Sequence, residues 1–191
     1  VHVTEAVVDG PVRVHAETVR AGATTAVAAF TVHDESTGRP VGGGTGTFRP
    51  FPFEFDRALL EAPIGVERRH DIGVVVERND VISDLGLSVA EDGTVTVAVE
   101  GWLRNPWGIL HGGVIGCVVD VAAEVAGSAA LRRTARATSE TIRFLAPARV
   151  GPVRAVPRVL AADDTSALVE VRLVDSGADD RLTAIGTVAL S

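Results

Sequence analysis

Asn105-Pro106-Trp107-Gly108-Ile109-Leu110-His111-Gly112-Gly113 leads straight into Val114-Ile115-Gly116-Cys117-Val118-Val119-Asp120, and this run decides the fold. Its first half is rich in Asn, Pro and Gly, which punctuate a chain rather than extend a regular element. Its second half opens an apolar stretch that reaches Ala130 with only Asp120 and Glu124 as charges. The change predicts a tight loop running into a helix that starts at Gly112 or Gly113 and ends near Leu131. Apolar residues surround nearly its whole circumference, so the helix is expected to be buried. A helix start presents free N–H groups and the positive end of the dipole, which favour developing negative charge. An acid about two turns further on can attack or activate water. Those are the parts needed to hydrolyse a polarised acyl group.

Working outward, residues 85–90 read as a strand, Glu91-Asp92-Gly93 as a hairpin turn, and residues 94–101 as a second strand with Val95, Val97 and Val99 alternating. After the helix, strands are expected near 138–145, 153–161, 166–174 and 182–190. Short turns join the last three, which makes them antiparallel neighbours. The expected class is α+β, an antiparallel sheet wrapped around one long central helix.

The front of the chain repeats part of the back. Gly10-Pro11-Val12-Arg13 recurs as Gly151-Pro152-Val153-Arg154, and Thr24-Thr25-Ala26 as Thr165-Ser166-Ala167, both at an offset of 141. Gly46-Thr47 is matched to Gly186-Thr187 at an offset of 140. Residues 1–48 are therefore expected to be a partial unit of strands, equivalent to the second half of a complete unit at 81–191. Residues 49–80 form a linker. Prolines 50 and 52 extend its start, Phe55 to Ala62 suit a short helix that Pro63 ends, and three of the six Phe residues sit within it. Met is absent, position 1 included, and with the half-repeat this leads to the expectation that Val1 is not the natural start. The glycine-rich Val41 to Gly46 lacks the Lys of a nucleotide loop and is read as a bend in an edge strand.

The 191 residues, 46% of them hydrophobic, suffice for a sizeable core. No run reaches 18 uninterrupted apolar residues and no secretory signal is apparent, so neither a membrane partner nor export is expected, and a cytoplasmic location is. The single Cys117 permits no intrachain disulfide and reads as a small core residue. A net charge of −7 argues against nucleic-acid binding. Arg132, Arg133 and Arg136 are a local basic patch, either a phosphate contact or a solvated helix end. The five His residues show no metal-ligand spacing, so no metal is expected.

The complete unit resembles the hotdog-fold acyl-CoA thioesterases, especially the phenylacetyl-CoA thioesterase-like subgroup, over about residues 84–191. The likeness is carried by Asn105, by His111-Gly112-Gly113, by Asp120 and by Arg143-Phe144-Leu145-Ala146-Pro147-Ala148. With residues 1–48 added, the chain resembles a tandem, or double, hotdog with an incomplete first unit. The resemblance implies that the Gly112 N–H polarises the thioester carbonyl and that Asp120 is nucleophile or general base. It implies that Asn105 and His111 position the thioester or the water, and that no cofactor is needed beyond the coenzyme A of the substrate. Gly113, Trp107, Glu124, Arg132 and Arg133 are candidate substrate-binding residues. Thr138 and Ser139 join them where such enzymes place a hydroxyl near the reacting carbon, with Ala137 nearest in register. Trp102 and Trp107 suit either an acyl pocket or the core.

Each residue has a plainer reading. Asp120 can pair with an arginine, His111 can cap the loop, Asn105 can hold the turn, the Gly pair can serve close packing, and Glu124 can be a reserve acid. The resemblance also implies a site between two paired units, loop from one and acid from the other. The partial first unit offers neither, which leaves three outcomes open: a longer chain supplies the missing groups, two complete units meet in a homodimer or larger oligomer, or the chain is inactive as given. Of these the oligomer is expected. Two rival functions remain open at this point: a non-catalytic acyl-CoA or lipid binding protein, and an acyl-thioester dehydratase or hydratase.

Overall fold

The computed structural model describes residues 1–3, 11–49 and 80–191. Most of the linker, including the helix expected at 55–62, lies outside the described residues. The strands are β1 (His2–Val3), β2 (Val12–Ala21), β3 (Ala26–Asp34), β4 (Pro40–Phe48), β5 (Ser88–Val89), β6 (Val95–Val97), β7 (Ala137–Phe144), β8 (Val153–Ala162), β9 (Ala167–Asp175) and β10 (Arg181–Leu190). Among the described residues two α-helices join them, a single turn α1 (Val81–Asp84) and the long α2 (Gly112–Leu131). Among the described residues all strands form one antiparallel sheet in the order β2-β3-β4-β1-β7-β10-β9-β8-β6-β5. This is the hotdog architecture, a sheet curved over one long helix.

α2 begins and ends where the sequence requires. His111 is its N-cap, and Arg132 closes it in the left-handed region at φ 54°. Ile115, Val118, Val119, Ala122, Ala123 and Gly127 make its buried face. They pack on Val153, Ala155, Val169, Val171, Leu173, Ala184, Val188 and Leu190 of β8–β10. Burying one such side chain contributes about 2 kcal/mol, so this face anchors the unit. Gly186 is what lets the helix come close: a Cβ there would stand 2.5 Å from Val119 Cγ1.

The expectation of a helix buried all round is corrected. Gly112 and Gly113 are exposed, and Val114, Gly116, Cys117, Asp120, Val121 and Glu124 are only half-buried. The sheet wraps one side of α2 and leaves the other partly open, so Cys117 is not a full core residue. With a mean hydropathy of 1.8 the helix is long and apolar enough to cross a membrane by composition alone; here it lies on the sheet. The strand expected at 85–90 is also corrected. Leu85 caps α1, and only Ser88 and Val89 pair with β6.

The front hairpins share the registers of the back ones. In β2–β3, Val12 faces Asp34 and the register shifts between Thr18 and Arg20; in β8–β9, Val153 faces Asp175 and the shift falls between Val159 and Ala161. Every one of these positions differs by 141. In the next strand the registers place Gly44 opposite Phe30 and Gly186 opposite Val171. Gly44-Thr45, not Gly46-Thr47, is therefore the structural counterpart of Gly186-Thr187, at an offset of 142. The extra residue is accommodated in the turn between strands, which constrains length less than a ladder does. Segment 41–46 is likewise no edge bend. It is regular β4, paired along its length with β3 and at Gly42 and Gly43 with β1.

The two halves meet at β1. His2 pairs with Gly43 on one side and with Ser139 of β7 on the other. The Val1 amine donates to the Glu140 carbonyl at 2.7 Å, and the Glu140 N–H donates to the Val1 carbonyl at 2.9 Å.

Candidate active site

The loop before α2 is fixed mostly by backbone groups. Asn105 Oδ1 accepts from the N–H of Trp107 at 3.0 Å and of Ile109 at 3.3 Å. Its own N–H donates to the Ile109 carbonyl, and the Gly108 N–H donates to the Asn105 carbonyl. Gly108 sits at φ +70°, where a side chain would be strained. The Arg104 guanidinium clamps the loop from behind, donating to the carbonyls of Gly108 and Val99. The Leu110 N–H reaches the Ala148 carbonyl. Asn105 thus holds the turn, and the residue borders the adjoining cleft.

His111 caps the helix. Its Nδ1 accepts from the Gly113 N–H at 3.0 Å, so a neutral ring carries its proton on Nε2. With Gly113 satisfied in this way, the Gly112 N–H at the first helical position has no acceptor among the described residues. It opens onto a cleft of about 400 Å³ lined mostly by Ile109, Leu110, Ile115, Phe144, Leu145 and Pro147. The Phe144 ring approaches Gly112: a Cβ there would be 3.7 Å from Phe144 Cζ. A free donor at the positive end of a 20-residue helix, beside an apolar wall, is suited to a developing oxyanion.

Asp120 stands two turns deeper, about 12 Å along the helix at 1.5 Å per residue. One of its oxygens is buried and has no hydrogen-bond partner. Burial, and after it the Glu124 charge, pushes its carboxyl above the usual range. Among the described residues no arginine pairs with Asp120; the arginine pair belongs to Glu124. Glu124 Oε2 bonds Arg136 at 2.7 Å and Oε1 accepts the Ala137 N–H at 3.1 Å, so this acid ties the helix to the start of β7.

Thr138 and Ser139 do not join Asp120. A bulge opposite Ala189 and Leu190 pairs Ala137 with Leu190 and Ser139 with Ala189, leaving Thr138 as the extra residue. Leu190 and Val188 face the helix and Ala189 does not, so Ser139 takes the outer face of the sheet. The Thr138 hydroxyl donates to the Ala189 carbonyl and borders a separate outer cavity of about 370 Å³. The residue that the bulge brings to the helix side is Glu140, opposite Val188. Sequence reasoning missed it, along with the approach of the Phe144 ring to Gly112 and Arg104 behind the loop.

Arg132 and Arg133 lie at the far end of α2, away from the cleft. Arg133 donates to the carbonyls of Thr134 and Thr165. Trp107 is 41% exposed and Trp102 65% exposed, so neither packs into the core, and neither lines the cleft. The Trp107 carbonyl accepts from Arg149.

Residues 108–182 match the thioesterase superfamily. The chain belongs to that superfamily. AziG of S. sahachiroi is 32% identical, with 60% of this chain and 96% of that one covered at a TM-score of 0.50. A thioesterase of Haemophilus influenzae is 23% identical over 60% of this chain and 82% of its own, at 0.55. A Bacillus halodurans protein whose structure was solved with CoA is 19% identical over 57% of this chain and 72% of its own, at 0.50. Among curated proteins none matches the chain.

Proposed function

We propose that the protein hydrolyses the thioester of an acyl-CoA to the free acid and CoA. Water adds to the carbonyl carbon as Asp120 takes its proton, or Asp120 itself adds first and water releases the acyl group. The negative charge on the carbonyl oxygen is received by the Gly112 N–H. The carbon–sulfur bond then breaks, and the thiolate leaves without needing much acid assistance. The observation that carries this reading is Asp120: a half-buried acid with an orphaned oxygen, costly to keep without a task. The CoA held by the Bacillus halodurans protein favours the same substrate class.

Gly112 and Asp120 of one helix are too far apart to serve one carbonyl. In this reading two complete units face each other, so that the amide of one and the acid of the other flank the thioester, and the working species is a dimer or larger. The front strands act as the second half of a further unit, and the cell compartment is the cytoplasm.

Release of free thiol from a panel of acyl-CoAs of varied length, with aryl-CoAs included, tests the proposal. Asp120→Asn is expected to lower kcat about 10³-fold while leaving binding in place. A variant with full rate overturns the assignment. Specific activity measured against dilution, alongside mass, tests the pairing; a fully active monomer overturns it.

A further inference from the structure

We propose that Glu140 is a positioning residue for Asp120: its neutral carboxyl donates to the attacking water while Asp120 accepts from that water, so that the two side chains together aim one lone pair at the acyl carbon. The inference rests on the hydrolytic reading and deepens it.

Three observations place the two acids in one space. The bulge at Thr138 turns Glu140 toward α2, in line with Ile142 of the same strand, which packs on the core. The Glu140 carboxyl lies against Gly116, where an added Cβ would stand 3.9 Å from Oε2. Gly116 is one turn before Asp120 and on the same helix face. Finally, each acid has one buried oxygen without a hydrogen-bond partner: Asp120 Oδ1 and Glu140 Oε1. Both oxygens lack a partner, and one water shared by the two carboxyls, accepting from one and donating to the other, would satisfy both.

The protonation states suit these roles. Burial first, and the Asp120 charge second, raise Glu140 to about 7, against a smaller lowering by the Val1 amine. Asp120 is raised by burial and Glu124, with no contribution from Glu140. Asp120 therefore ionises first and Glu140 keeps the shared proton. The other groups facing the pair are the Cys117 thiol, which burial and both acids push up, and Glu124, already engaged by Arg136. β10 contributes only Gly186 and Val188 here. Above neutrality Glu140 loses its proton, the donor to the water disappears, and a second negative charge stands beside the base. The rate should then fall.

The test joins a pH–rate profile to a carbon NMR titration of carboxyl-labelled protein. For the wild type, kcat is expected to decline as pH rises through about 7. Glu140→Gln keeps a donor that cannot ionise. It should stay close to wild type at pH 6, lose the decline, and leave the acid limb of Asp120 in place. Glu140→Ala should lose about 10²-fold in kcat at every pH. A Glu140→Gln profile with the wild-type decline, or a loss uniform across pH, overturns the proposal. In the titration the Glu140 carboxyl should have its midpoint near 7, and Asp120→Asn should move it down. An ordinary midpoint that ignores Asp120→Asn overturns the pairing. If the wild type releases no thiol from any acyl-CoA, the hydrolytic reading fails and Glu140's role with it, while the titration still reports whether the two acids are coupled.

Discussion

The hairpins β2–β4 and β8–β10 share registers and bulge positions, yet one set is only partly covered and the other is a core. Val153 is fully buried, while its counterpart Val12 is 52% exposed; Leu190 is 1% exposed and Phe48 58%. The difference is α2. Strand alternation and turn chemistry suffice to shape both sheets, because ladders are satisfied within each hairpin. Burial is not inherited from the ladder; it comes from a helix laid on one face, and among the described residues no helix lies on the front set. Paired substitutions at equivalent positions should separate the two contributions.

The largest difference is expected at the aspartates that end β3 and β9. Asp175 is fully buried and accepts from the N–H groups of Arg149, Val150 and Gly151 at 2.7–3.1 Å. Among the described residues Asp34 accepts from the N–H and hydroxyl of Ser36 at 2.8 and 2.6 Å, and Thr37 adds donors of the same turn. Asp175→Ala should cost about 3 kcal/mol in denaturant unfolding, because three donors lose a charged acceptor; Asp34→Ala should cost clearly less. Burial alone would raise the Asp175 carboxyl, but the backbone donors outweigh it and hold it below the usual range. A lowered acid stabilises above its unfolded pKa, so this contribution should vanish as pH drops below about 4, and Asp175→Ala should flatten that loss. Equal costs at both positions would show that the front turn is as deeply built as the back one.

Next come the valines opposite those aspartates. Val153→Ala should cost about 2 kcal/mol, from lost transfer and a residual cavity. Val12→Ala, the same chemical change at the same register, should stay within about 0.5 kcal/mol. A comparable loss at Val12 would mean that something covers the front face in solution.

Gly186 and Gly44 make a subtler pair. An Ala at 186 must push into Val119, 2.5 Å from its added Cβ, and should cost about 1–3 kcal/mol by overpacking. At Gly44 the nearest atoms are the Phe30 ring and Val1 Cα at 3.1 Å, and a ring at a half-covered surface can give way. Gly44→Ala should cost less, and equal thermal shifts would deny that helix approach is what Gly186 serves.

What the sequence made legible were features set by local chemistry. The cap at His111, the length of α2, the four long strands of the complete unit and the Asp92-Gly93 turn all follow from residue type and spacing. What escaped it depends on a neighbour. Apolar residues all round α2 do not reveal that one side of the helix stays uncovered. In β7, Ala137-Thr138-Ser139-Glu140 has no alternation to betray a bulge, because a bulge is a two-against-one count set by β10. That single extra residue moved the hydroxyls of Thr138 and Ser139 to the outer face and put Glu140 inside. The repeat offset failed in the same way: Gly-Thr occurs twice near the right place in β4, and only cross-strand register chooses Gly44-Thr45.

The smallest effect concerns the seam between the halves. Glu140 bonds Val1, just before β1, through its backbone while its side chain faces α2. Its carboxyl titrates near 7 folded and in the ordinary range unfolded. Between about pH 4.5 and 7 the folded chain therefore binds more protons than the unfolded one, and by linkage stability must fall as pH rises across that window. This slope is opposite in sign to that of Asp175, whose contribution grows as pH rises through the acid range, so the two acids bracket a stability maximum near pH 5. Glu140→Gln should remove the descending side alone, leaving the variant more stable relative to wild type at pH 8 than at pH 5 in parallel urea melts. A relative stability unchanged between those two pH values would mean that the carboxyl at 140 ionises freely, and that the seam between the two halves is wetter than the burial of Glu140 Oε1 implies.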